Sequence, residues 1–226
     1  MKILLIRHAK VAFDWKQSYT SEEYDIACRL YDEADIIPVD SHQETGDYER
    51  IYVSSLKRAL QTAEQLFPSA PASMLVRTHL LDEVPLRSFS DTHRSHSRVV
   101  FDVIGRLQWV RGKRQEETRN ETRKRADELI DLLEKNNENA ILITHGFFMN
   151  VLVSRLKKRR RYEIYRSSTF LAEPLEKIKV IDRQPHCGGC HHNCLLDRAG
   201  CLIGQDKARK AGIQQKLLVR RICGTL

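Results

Sequence analysis

Three places in this chain put ionisable or hydroxyl side chains directly after a short apolar run. Arg7-His8 follows Ile3-Leu4-Leu5-Ile6, Ser54 with Arg58 one turn later follows Ile51-Tyr52-Val53, and Thr144-His145 follows Ala140-Ile141-Leu142-Ile143. Two histidines and two arginines at one edge of a sheet, beside helix starts, would form a positive, donor-rich pocket whose natural occupant is an anion. Backbone N–H groups and the helix dipole favour phosphate there, and arginine matches phosphate oxygens with paired donors. A neutral imidazole is also a competent nucleophile at phosphorus. A second imidazole, if protonated, would stabilise charge on a transferring group. Taken singly, a histidine after a strand is more often a satisfied structural residue; only the four groups together argue for chemistry.

The elements that must hold these groups are legible as continuous apolar runs separated by helical patterns. Leu56 to Phe67 carries apolar residues at 56, 59, 60, 63 and 66/67, with a preceding serine in position to cap it. Met74-Leu75-Val76 is a weaker strand. A mixed stretch follows, and then an amphipathic helix from about Glu116 to Lys135, with Ala126, Leu129, Ile130 and Leu133 on one face. Residues from Phe147 to Leu156 read as a further helix. Fully apolar strands alternating with helices predict an α/β domain, a mostly parallel sheet covered on both faces, with ligands beyond the carboxyl ends of the strands.

The motifs resemble those of a known family. Leu5-Ile6-Arg7-His8-Ala9-Lys10 is similar to the first signature of the histidine phosphatase, or phosphoglycerate mutase-like, superfamily. Val53-Ser54-Ser55-Leu56-Lys57-Arg58-Ala59-Leu60-Gln61-Thr62-Ala63 resembles its second, and Thr144-His145-Gly146 its third. Phe13-Asp14-Trp15, Tyr31-Asp32-Glu33 and Leu81-Asp82-Glu83-Val84-Pro85-Leu86 are similar to segments of a small branch of that superfamily, and the resemblance spans about residues 1 to 160. It implies a three-layer α/β/α fold. It also implies that His8 becomes a phosphohistidine while Arg7, Arg58 and His145 hold the phosphoryl oxygens. Glu83 would protonate the leaving oxygen and then activate water, a role that burial of the carboxyl would assist, with Asp82 as the competing carboxylate. Two residues depart from the family pattern: alanine stands for glycine at position 9 and serine for proline at position 55. The expected activity is a phosphatase acting on a phosphorylated small molecule or phosphoprotein, with no cofactor for the chemistry. A mutase is the alternative, which the short domain disfavours.

Composition bounds the rest. The chain of 226 residues is 41% hydrophobic and 30% charged, a globular balance that excludes wholesale disorder and collagen-like structure. No apolar run approaches a membrane span, and Arg7 and His8 interrupt the first one too early for a secretory segment, so the expectation is a cytoplasmic protein. Charge and cysteine are uneven. Residues 183–226 hold eight Lys/Arg against Asp197 and Asp206, and five of the six cysteines. The reading is therefore a phosphatase domain over 1–182 and a basic appendage over 183–226. In that appendage Cys187, Cys190, Cys194 and Cys201, with His186, His191 and His192 nearby, are spaced to converge on one ion, Zn ahead of an iron–sulfur cluster. Disulfides, which no secretory segment supports, and free or redox-active thiols are the competing accounts. Gln205 to Arg221 is basic and helix-like but lacks interleaved aromatics, which makes nucleic-acid binding the lesser role beside docking on the phosphatase domain. An adaptor acting through this tail is the non-enzymatic alternative. Lys157-Lys158-Arg159-Arg160-Arg161 reads as the exposed end of a helix.

Overall fold

Strand residues alternate between two faces, and here both faces are apolar, so each strand needs a helical layer above and below it. The computed structural model describes residues 1–159 and the backbone of 163–168. Strands β1 (Lys2–Arg7), β3 (Arg50–Ser54), β4 (Leu75–Thr78), β6 (Ala140–Thr144) and β7 (Glu163–Ser168) form a parallel sheet in the order β4-β3-β6-β1-β7. Two-residue strands β2 (Ser18–Tyr19) and β5 (His96–Ser97) make a separate antiparallel pair. The helices are α1 (Ser21–Glu33), α2 (Lys57–Leu66), α3 (Arg98–Arg111), α4 (Arg119–Asn136) and α5 (Gly146–Arg159).

The two faces of the sheet seed two cores. Ile3, Leu5, Tyr52, Ala140 and Leu142 pack with Ala126, Leu129, Ile130 and Leu133 of α4 and with Phe148, Met149, Leu152 and Leu156 of α5. Leu4, Ile6, Ile51, Val53, Ile141 and Ile143 turn the other way, onto Ala59, Ala63 and Leu66 of α2. This is the doubly covered sheet expected from the apolar runs and the three-layer α/β/α arrangement that the resemblance implies. The face read for α4 is correct residue for residue, and all four of its apolar positions are fully buried. Truncating Leu129 to alanine there would cost roughly 2–5 kcal/mol.

Local signals account for most boundaries. Thr118 caps α4 in a reciprocal capping box with Glu121, and Thr20 does the same for α1 with Glu23. The expected serine cap of α2 is absent: Leu56 occupies the N-cap position, Ser54 Oγ accepts from the Leu56 N–H at 3.2 Å, and both serine hydroxyls donate to Asp82. Helices α1 and α3 and strand β7 lie where no regular element was expected. Lys157 and Lys158 are exposed, as the charge run implied, and Arg159 pairs with Asp131 and Glu134 of α4. The cysteines at 187, 190, 194 and 201, the basic segment around them and the boundary at 182 lie outside the described residues. Among the described residues no helix is long and apolar enough to cross a membrane.

Candidate active site

Parallel register brings the chemical groups together. Arg7 is the register partner of Thr144, so the next residues of both strands, His8 and His145, emerge side by side, and the His8 N–H donates to the Thr144 carbonyl at 2.9 Å. Their rings lie 4.9 Å apart, centroid to centroid. Ser54 ends the neighbouring strand β3, and Arg58 follows in the first turn of α2. Thus His8, His145, Arg7 and Arg58, drawn from three separate segments, meet at the carboxyl edge of the sheet.

His8 is buried, and its Nδ1 lies 2.7 Å from the carbonyl oxygen of Ala9. A carbonyl only accepts, so Nδ1 carries the proton and Nε2 holds the lone pair. Burial first and the Arg58 charge second push the ring down to about 3, which keeps it neutral and nucleophilic at ordinary pH. Alanine at position 9 is accommodated. Its N–H donates to Thr62 Oγ1, which in turn donates to the Arg58 carbonyl, tying the turn after β1 to α2.

The surroundings of His145 favour a neutral ring over a protonated one. The ring is fully buried, and desolvation, then Arg58, then His8 hold it well below the ordinary histidine value. Its Nδ1 accepts from Arg58 Nε at 3.2 Å, and its Nε2 lies 2.7 Å from Ser54 Oγ. It stands in the cluster as a neutral ring holding an arginine, because a second cation in a dry pocket beside Arg58 would be costly.

The two arginines differ sharply. Arg58 is 3% exposed at its side chain and is gripped from outside by Asp32, 2.6 Å from its NH1 group. Arg7 is exposed, and its guanidinium makes no hydrogen bond or ion pair with another described residue. Its guanidinium lies against Gly146 at the start of α5, where an added Cβ would stand 3.1 Å from Arg7 Cζ.

The neighbouring carboxylates also separate. Asp82 accepts from Ser54 Oγ, the Ser55 N–H and Ser55 Oγ at 2.7, 2.7 and 2.5 Å. Glu83 is half-buried, not enclosed as its expected role would favour. Its oxygens accept from the N–H groups of Phe147 and Phe148 at 3.2 and 2.9 Å, at the start of α5, and from the N–H of Val84. Arg125 of α4 stabilises the loop that carries both, donating to the carbonyls of Leu80 and Asp82 while paired with Glu117. A cavity of about 490 Å³ opens beside Arg58 and Glu83, with Trp15, Tyr24, Tyr31 and Arg106 among its walls. That volume suits a small organic leaving group.

Sequence reasoning missed Asp32, Arg106 and Arg125 as members of the site. Asp32 fell within a segment quoted for its resemblance, but no spacing rule links it to Arg58. Among the described residues no group of three or more His, Cys, Asp or Glu converges to hold a metal ion. Cys28 lines the cavity with its thiol pushed up to about 12 by burial, a poor nucleophile.

No curated protein matches the chain. Among solved structures, it is similar to a phosphoserine phosphatase of Entamoeba histolytica in complex with 3-phosphoglyceric acid, at 19% identity over 69% of this chain and 79% of that one, with a TM-score of 0.41. It is also similar to the product of an open reading frame of Mycobacterium tuberculosis, at 18% identity over the same shares, with a TM-score of 0.38. The family model of the histidine phosphatase superfamily, branch 1, matches residues 3–174, beyond the 160 residues that the motifs span. Matched over most of its length by that model, the chain belongs to branch 1 of the histidine phosphatase superfamily, a membership that supports a phosphatase- or mutase-type activity.

Proposed function

We propose that the protein hydrolyses a phosphomonoester through a phosphohistidine on His8. The observation that carries this reading is the bond from His8 Nδ1 to the Ala9 carbonyl, which leaves Nε2 with a lone pair beside Arg58 in a buried, neutral ring. The Nε2 lone pair attacks phosphorus in line, and the ester P–O bond breaks. Glu83 gives a proton to the departing oxygen, so the alcohol leaves neutral and Glu83 becomes a carboxylate. Glu83 then takes a proton from a water that attacks the phosphohistidine; the N–P bond breaks and inorganic phosphate departs. Arg7 and the free face of Arg58 carry the equatorial oxygens through both steps, and no cofactor is invoked. The substrate is a phosphorylated small molecule or phosphoprotein whose leaving group enters the cavity beside Glu83.

The test is hydrolysis of an aryl phosphate by the full chain, with acid quenching to trap label on protein from a ³²P-phosphomonoester. Acid-labile label on the wild type and none on His8→Ala is the expected result. Turnover unchanged in His8→Ala rejects the mechanism. Transfer of the label to an added phosphate-acceptor alcohol, with water excluded, would favour the mutase reading instead.

A further inference from the structure

Position 55 is one of the two places where the chain departs from the family pattern, and its serine has a partner that proline could not serve. Ser55 donates its N–H and its hydroxyl to Asp82, while Ser54 donates its own hydroxyl to the same carboxylate. Proline lacks both the N–H and the hydroxyl. Asp82 therefore collects three donors from two consecutive residues at the end of β3.

This arrangement has a direction. A carboxylate only accepts, so the Ser54 proton points to Asp82 and the Ser54 oxygen faces His145 Nε2 with lone pairs alone. Nε2 must then carry a proton. A neutral imidazole has one N–H, so Nδ1 is bare, and that is where the Nε–H of Arg58 arrives. The other tautomer would set N–H against N–H at Arg58. Ser54, His145 and Arg58 are at most 2% exposed, so water offers no alternative partner.

We propose that Asp82 is a positioning residue: through the Ser54 hydroxyl it holds His145 as the Nε2–H tautomer, and through His145 it aims the Arg58 guanidinium. Arg58 is then bonded at Nε by His145 and at NH1 by Asp32, which leaves its NH2 group to meet a phosphoryl oxygen. The adjacent carboxylates thus divide the work, Asp82 ordering the phosphate-binding arginine and Glu83 facing the leaving group. The effect on phosphate binding rests on the phosphatase reading, but the tautomer does not.

The experiment is ¹⁵N NMR of the full chain labelled at histidine ring nitrogens, with His145 assigned by loss of its signals in His145→Gln. Inorganic phosphate affinity is measured by calorimetry on the same proteins. Wild-type His145 is expected as the neutral Nε2–H tautomer. Asp82→Asn, whose amide oxygen still accepts from Ser54, should retain it. Asp82→Ala frees the Ser54 proton to turn toward the ring, so the second tautomer should appear and phosphate affinity fall about 10- to 100-fold. Ser54→Ala breaks the next link and leaves Asp82 itself in place: the His145 Nε2–H loses its acceptor, so phosphate affinity should fall by a similar factor, which covers the case of an Asp82→Ala protein that does not fold. A wild-type ring protonated at Nδ1, or tautomer and phosphate affinity unchanged in both alanine variants, overturns the proposal. A protein that hydrolyses no phosphomonoester yet shows these tautomer changes would refute the proposed function and leave the relay standing.

Discussion

The rings of His8 and His145 lie 4.9 Å apart, tilted by 50°, at the ends of two adjacent parallel strands. Two imidazoles this close, both buried and both near the Arg58 charge, are favoured as neutral rings. Burial is the largest cause of the lowered value in each, and the Arg58 charge is the second. The positive charge of the site thus comes from arginine, and both imidazoles are held neutral.

Neutral histidines make stability depend on pH. An unfolded histidine takes a proton below about 6.5, whereas folded His8 takes one only near 3. The unfolded chain binds more protons throughout that window, so stability is complete above about pH 6.5 and is lost as pH falls toward 3, by up to about 1.4 kcal/mol per pH unit for each such ring. His145 acts in the same direction. Urea denaturation at about pH 7.5 and about pH 5.5 should show a loss in the wild type that shrinks by about 1 kcal/mol in His8→Gln; an equal loss in both proteins would contradict a neutral buried ring.

Glu83→Gln should lower kcat by about 10²- to 10⁴-fold for an alkyl phosphate, and less for an aryl phosphate whose leaving group needs no proton. Phosphate affinity should change little, because Glu83 is bonded to the start of α5 and not to an arginine. Removing the anionic acceptor from that helix end should also cost about 0.5–2 kcal/mol, read as a lower denaturation midpoint. An active Glu83→Gln protein beside an inactive Asp82→Asn one would move the acid–base role to Asp82.

Gly146→Ala separates binding from stability. The new methyl would meet the Arg7 guanidinium at 3.1–3.2 Å and displace it from its place over the helix start, while alanine favours helix over glycine by up to about 1 kcal/mol. The expected outcome is a phosphate dissociation constant raised several-fold with Tm equal or higher. A fall in Tm with unchanged phosphate affinity would place the glycine's value in packing.

Asp32 holds Arg58 NH1 at 2.6 Å from a half-exposed position, and its negative charge offsets the charge that Arg58 would offer a phosphate at NH2. Asp32→Asn should therefore tighten inorganic phosphate binding, lowering its competitive inhibition constant by a factor consistent with about 0.2–1 kcal/mol for an exposed partner. Weaker phosphate binding would instead make Asp32 the group that holds Arg58 in place for its ligand.

Cys187, Cys190, Cys194 and Cys201 call for metal analysis of freshly purified full chain. Near one equivalent of Zn, lost when two of the four are changed to serine, is the expected result; below about 0.2 equivalents of any metal, the four are plain thiols.

Strands β1, β3 and β6 were legible because both their faces are buried, which makes them unbroken apolar runs that few other structures explain. Helix α4 was legible because its apolar residues keep to one stripe. Helix α3 was not: it buries Phe101, Gly105 and Trp109 but leaves Val99, Val103, Leu107 and Val110 47–67% exposed, so two apolar stripes blur its period. Helix α1 has the same ambiguity, with Tyr24 and Ala27 buried and Ile26 and Leu30 exposed.

At the site, the residue types and their places at strand ends were readable directly from the chain. His8, Arg7, Arg58 and His145 had to converge once three parallel strands ended beside one another. Which group bonds which was decided only by tertiary structure: Asp82 with Ser54, Asp32 with Arg58, and a His145 kept neutral between an arginine and a serine. Those partners are 26 to 91 residues apart, and no local preference encodes them. Hydrogen-bond direction and burial exist only after the layers close, and they set the protonation of each ring.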